Sequence, residues 1–179
     1  MKVLIITYYW PPAGGSGVQR WLKFVKYFQE FGIEPIIYTV DNANYPKLDK
    51  TLLKEVPKNV TILKQPIWEP TNLLSWKHKK TQTTSVSNIS KGGFLSFIRG
   101  NFFIPDPKIF WVKKSVHFLQ KYIIENKIET VISTGPPHSM HLIAQKLRLK
   151  NSLKWIADFR DPWTSLYYNE DFKLSVFAK

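Results

Sequence analysis

The sequence predicts an α/β fold: one open, mainly parallel, doubly wound sheet with helices on both faces. Three observations carry that expectation. Short apolar runs rich in β-branched residues recur without polar alternation, as in strands buried on both faces. Segments with helical spacing of apolar residues lie between them. Gly- and Pro-rich stretches fall where a strand gives way to a helix. At 179 residues and 44% hydrophobic, the chain suits one domain with a packed core, and its whole length is read as that domain.

Lys2–Thr7 (KVLIIT) is the first predicted strand. The loop Tyr8–Gly17 (YYWPPAGGSG) follows, and Ser16 is the expected N-cap of the next helix. Over 18–31, Val18, Trp21, Leu22, Val25 and Phe28 keep helical spacing while Arg20, Lys23, Lys26 and Glu30 take the other face. Gly32 ends that helix, and Glu34–Val40 (EPIIYTV) is a second strand. Asn59–Gln65 reads as a third. Periodicity is then lost over about 67–100, a polar and basic insertion carrying Trp68 and Trp76. Order resumes with a helix over Asp106–Asn126, a strand Glu129–Ser133, a loop Thr134–His138, a helix Ser139–Leu149 and a strand Lys154–Asp158. Phe172–Lys179 reads as the start of another apolar element.

Composition narrows the function. No cysteine is present, which removes disulfide scaffolds, thiolate metal sites and thiol nucleophiles. The apolar stretch at the N-terminus is too short for a signal-peptide core, and no run approaches the roughly 18 residues that cross a bilayer. The formal net charge of +13, joined to 15% aromatic residues, points to an anionic partner. Nine of those net charges fall between Lys58 and Lys127. There Lys77, His78, Lys79 and Lys80 are densest, interleaved with Trp68, Trp76, Phe94, Phe97, Phe102, Phe103, Phe110 and Trp111. The mixture fits an anionic bilayer interface or a lipid-linked acceptor. Single-stranded nucleic acid or an ordinary solvated face over core aromatics are the competing readings.

Ligands of such a sheet sit beyond the carboxyl ends of the strands, near the switch in strand order. Three segments converge there: Tyr8–Gly17, Gly135–His141 and Asp158–Trp163. Gly14-Gly15-Ser16-Gly17 allows a phosphate close to the backbone at a helix N-terminus, or is simply a turn. Arg20 stands where a dinucleotide fingerprint needs its third glycine, and no Walker lysine follows. Arg20 reaches toward a phosphate or is a solvated surface arginine. His138, at a strand-to-helix junction, contacts a sugar hydroxyl, works as acid or base, or caps its own helix. With His141 and either Asp158 or Asp161 it would offer a weak metal set, and no metal is expected. Asp158, Arg160 and Asp161 form either a cleft lining or a local ion pair that shapes the loop. A hydrolase triad of Ser139, His141 and Asp161 lacks the nucleophile elbow.

The run Tyr9-Trp10-Pro11-Pro12-Ala13-Gly14-Gly15-Ser16-Gly17-Val18-Gln19-Arg20 resembles the opening of family 4 (group 1) glycosyltransferases of GT-B architecture. Thr134-Gly135-Pro136-Pro137-His138-Ser139 and Asp158-Phe159-Arg160-Asp161-Pro162-Trp163 resemble two later signatures of the same N-terminal domain. The resemblance implies a Rossmann-like half of a GT-B enzyme, moving a sugar from a nucleoside-diphosphate donor to a saccharide or lipid-linked acceptor. It also implies retention of configuration and no metal or other cofactor. Carried over, Gly14 and Gly15 face the donor diphosphate with Arg20 nearby. His138 contacts the transferred sugar and Asp161 polarises or adjoins the acceptor, with Ser16, Asp158 and Arg160 lining the cleft. The second, donor-binding domain of that architecture is absent from these 179 residues, so this stretch by itself is expected to be inactive.

The implied setting is cell-envelope polysaccharide or glycolipid synthesis in the cytoplasm, at the inner face of the cytoplasmic membrane. Two other classes compete: a stand-alone module binding nucleic acid or an anionic surface, and an NAD-binding domain with Asp41 on the ribose. Nucleic acid is not the expected partner.

Overall fold

The computed structural model describes residues 1–68 and 103–161. Its elements, in order, are β1 (Lys2–Ile6), α1 (Ser16–Phe28), β2 (Glu34–Val40), β3 (Thr61–Gln65), α2 (Ile109–Asn126), β4 (Thr130–Gly135), α3 (Ser139–Lys150) and β5 (Lys154–Phe159). Two 3-10 turns, Gln29–Phe31 and Lys50–Glu55, complete the connections. The five strands form one all-parallel sheet in the order β3-β2-β1-β4-β5. This is the predicted Rossmann-like α/β fold.

Side chains alternate across each strand, so the central strands feed two cores at once. Leu4 and Ile6 of β1, with Ile36, Tyr38 and Val131, face one layer, where α2 supplies Trp111, Val116 and Leu119 and α3 supplies Met140, Ile143 and Leu147. Val3 and Ile5, with Ile37 and Ile132, face the other, where α1 inserts Val18, Trp21, Leu22 and Val25. Tyr38 stacks on Trp111 at 4.9 Å and donates its hydroxyl to Ser115 Oγ at 2.7 Å. Burial pushes that phenol well above its ordinary pKa.

Several boundaries differ from the sequence expectation. Gly15, not Ser16, holds the N-cap position of α1, and no side chain caps it. The α-helical turns stop at Phe28, and a 3-10 turn leads to Gly32 in the left-handed region (φ 66°). α2 begins three residues later than predicted, because Asp106 closes a turn of its own: its backbone carbonyl accepts from Ile109 N and its Oδ1 from Lys108 N. β4 extends through Thr134 and Gly135, which pair with Asp158 and Phe159 of β5. Nearly all of the basic, aromatic insertion lies outside the described residues, including Lys77, Lys79 and Lys80, as do Pro162, Trp163 and the apolar stretch Phe172–Lys179.

β1 and β4 are sheet neighbours whose following helices pack on opposite faces. The connections therefore part above that pair of strands, and the crevice they leave is where the site is sought.

Candidate functional site

The loop after β1 is anchored by its aromatics: Tyr8, Trp10 and Ala13 are buried. It is tied to the 47–49 segment by Gly14 N donating to Lys47 O (2.9 Å) and Asp49 N donating to Pro12 O (2.8 Å). A Cβ on Gly14 would lie 3.1 Å from Asp49 Cβ. Gly14 is thus packed, with its amide engaged. Gly15 differs, since its φ of 122° suits only glycine and nothing lies within 4 Å of its missing Cβ. The first turn of α1 contains no acidic residue, and Ser16 is exposed. Its leading N–H groups carry the usual partial positive charge of a helix start.

Asp158 ties three elements together. It accepts from Arg20 Nη1 (3.0 Å), Trp21 Nε1 (3.0 Å) and Thr134 Oγ1 (2.8 Å), joining α1 to β4 and β5. Two residues along, Arg160 donates from Nε to Gly135 O and from Nη2 to Pro136 O, both at 2.9 Å. Its Nη1 lies against the first turn of α1, where a Cβ on Gly17 would be 1.6 Å away. Glycine at 17 is what lets the guanidinium settle there. Arg20, read from sequence as a phosphate ligand or a solvated surface residue, is exposed and pairs with Asp158.

His138 and His141 are buried at the start of α3 (5% and 4% exposed). His141 Nδ1 and Ser133 Oγ lie 2.8 Å apart, and Trp155 Nε1 donates to the same oxygen at 2.8 Å. An indole N–H only donates, so Ser133 Oγ accepts from Trp155 while it is held against His141 Nδ1. Burial, reinforced by His138, pulls the His141 pKa down to about 4. Burial also lowers His138, against the opposing fields of Asp106 and Asp161. Both rings are therefore neutral near pH 7. They close over Gly135, whose Cβ would meet His141 Nε2 at 2.7 Å and His138 Nδ1 at 3.0 Å. Phe159 stacks on His141 at 4.1 Å.

The N-terminus of α3 is closed by a residue distant in sequence. Asp106 Oδ2 accepts from Ser139 N and its Oδ1 from Ser139 Oγ, both at 2.8 Å. His138 holds the N-cap position but makes no side-chain cap. Ser139 is committed to Asp106 and His141 to Ser133, so the triad reading has no connected nucleophile. Asp161 is exposed just beyond β5. Asp41, the residue of the dinucleotide alternative, is exposed beyond β2. Among the described residues no group of three or more His, Asp or Glu side chains is placed to hold a metal ion.

Sequence reasoning had singled out Gly15, His138, Asp158, Arg160 and Asp161, and the fold gathers them at the carboxyl ends of β1, β4 and β5. It had missed the parts played by Gly17, Trp21, Ser133, Thr134 and Asp106. The one available signal was Asp106 itself, an acidic residue between two prolines. Among the described residues no helix is long and apolar enough to cross a membrane. No protein-family model matches the chain, and no curated protein matches it.

Proposed function

We propose that this chain is the acceptor-side, Rossmann-like domain of a GT-B glycosyltransferase. It would help move a sugar from a nucleoside-diphosphate donor to a saccharide or lipid-linked acceptor in cell-envelope polysaccharide or glycolipid synthesis. One observation carries the reading: a helix start without an acidic cap, lined by Gly15 and Gly17 and flanked by the Arg160 guanidinium, borders a loop holding a buried, neutral histidine. The three motif resemblances in the sequence add to it.

In this reading the α1 N-terminus and Arg160 supply positive potential to the donor diphosphate as negative charge develops on the leaving group. Gly15 lets a phosphate approach the backbone, and Gly14 shapes the turn through its packing against the 47–49 segment. His138, neutral at pH 7, contacts a hydroxyl of the transferred sugar, and Asp161 lies on the acceptor side. Arg20 and Asp158 position α1 against β4 and β5. The resemblance further implies retention of configuration, no metal, and a second domain that makes most of the nucleotide contacts.

The test is sugar transfer by the full natural protein, with nucleotide affinity measured in parallel. His138→Ala is expected to lower turnover by about 10²- to 10⁴-fold while nucleotide affinity stays within about twofold. Unchanged turnover removes His138 from the reaction. Failure to transfer from any nucleoside-diphosphate sugar removes the reading itself.

A further inference from the structure

The outward stripe of α2 has a chemistry the site does not use. Phe110, Lys113, Lys114, His117, Lys121 and Ile124 fall at helical spacing on one side and are all exposed. Trp111, Val112, Ser115, Val116, Leu119 and Ile123 on the other side are buried. The stripe is about 21 Å long at 1.5 Å per residue. Trp68, 59% exposed, packs edge-on against Phe110 at 5.1 Å, and Ile124 at the far end is 63% exposed. Glu125 is the sole carboxylate in this helix, paired with Lys121 at 3.8 Å. Lys113 and Lys114 have no ion-pair partner among the described residues. On the opposite layer Arg20 is paired with Asp158 and Lys23 with Glu55.

We propose that this stripe docks on an anionic lipid bilayer. Flexible lysines that keep their ammonium groups at headgroup level, beside an exposed aromatic pair and an exposed isoleucine, suit an interface in which one part is charged and the other apolar. Charge complementarity selects an anionic partner, and the exposed apolar ends favour a bilayer over a phosphate backbone. The helix contains no arginine for bidentate phosphate contacts. Docking has a geometric consequence: α2 starts three residues after Asp106, the carboxylate that fixes Ser139 beside His138. Its Phe110 end therefore lies toward the crevice. The bilayer contact stands on the chemistry of the stripe, whereas its purpose, presenting a membrane-borne acceptor to His138, rests on the glycosyltransferase reading.

Co-sedimentation with vesicles of phosphatidylglycerol and phosphatidylcholine, against phosphatidylcholine alone, tests the contact near physiological salt. Binding to the anionic vesicles is expected. A triple variant with Lys113→Gln, Lys114→Gln and Lys121→Gln should weaken partitioning by about 100-fold, about fivefold for each charge removed. A charge-matched control with Lys50→Gln, Lys54→Gln and Lys58→Gln, all exposed and away from α2, should lose less than about tenfold. Phe110→Ser should weaken binding several-fold with no change in charge, and thermal unfolding will verify that each variant folds. Equal losses in both triples would reduce the effect to net charge and overturn the proposal. Absent vesicle binding would also overturn it, as would oligonucleotide binding lost in the α2 triple with vesicle binding unaltered. Vesicle binding that persists in a protein unable to transfer sugar would sink the enzymatic reading and leave this contact standing.

Discussion

Two helices begin at the same edge of the sheet, each after a strand and a glycine-proline loop, yet their N-termini are finished differently. At α3 the chain supplies its own anion: Asp106 takes both the backbone N–H and the hydroxyl of Ser139. At α1 there is no side-chain cap, the N-cap is Gly15, the first turn has no acidic residue, and a guanidinium stands beside Gly17. A helix start already holding a carboxylate is a poor place for a second anion. One left positive and reinforced by Arg160 is a good one. Under the proposed function, the contrast separates the anion site from a structural cap where the sequence shows two similar loops.

The largest expected effect comes from cutting the link between the two sides. Asp158→Ala leaves the Trp21 indole and the Thr134 hydroxyl without their acceptor and should lower stability by about 3 kcal/mol. Chemical denaturation measures it, and a loss under about 1 kcal/mol would show that Asp158 is not the joint between α1 and β4.

Next, Asp106→Ala opens the α3 N-terminus and should cost about 2 kcal/mol. The same variant ought to give α3 a weak affinity for inorganic pyrophosphate that the parent lacks there. NMR shifts at Ser139 on titration would reveal it, and their absence would break the comparison.

Acid sharpens the contrast through the buried histidines. The folded pKa of His141, about 4 against an ordinary 6.5, means the unfolded chain binds more protons between those values. Stability should be flat above about pH 6.5 and fall as pH drops toward 4, by roughly 3 kcal/mol. His138, shifted in the same direction, adds to the slope. His141→Leu should flatten the profile in melts across that range, and an unaltered slope would mean that His141 is not the buried neutral group.

The smallest effect imitates Asp106 at the other helix. Ser16→Asp adds a carboxylate to the first turn of α1, where it should stabilise the helix by about 0.5 kcal/mol. It should also weaken pyrophosphate binding about tenfold by calorimetry. Tighter or equal binding would remove α1 as the anion site.

The sheet was legible in the sequence because a strand such as Val3–Ile6 is a continuous apolar run, and two-sided burial leaves no other use for it. The loops were legible through glycine and proline, whose backbone limits are local. Gly15 shows this most directly, since a φ of 122° at a helix start selects glycine whatever surrounds it. Ser16 misled because a serine before a helical pattern is a good cap in general, while the loop enters α1 one residue earlier. The pairing of Arg20 was not legible because its partner, Asp158, lies 138 residues away.

The sequence by itself determined the α/β class, the order of elements and the three segments that carry polar residues to the strand ends. Those follow from periodicity and from local backbone preferences, which act over a few residues. Only the tertiary structure decided how those segments are used: Asp158 as the joint of α1, Arg160 on Gly17, Asp106 as the cap of α3, and Ser133 as the hydroxyl bonded to His141 Nδ1. Each depends on parallel strands brought into register from distant parts of the chain. The strength of a hydrogen bond or ion pair depends on where its two groups finally meet, not on their separation along the sequence.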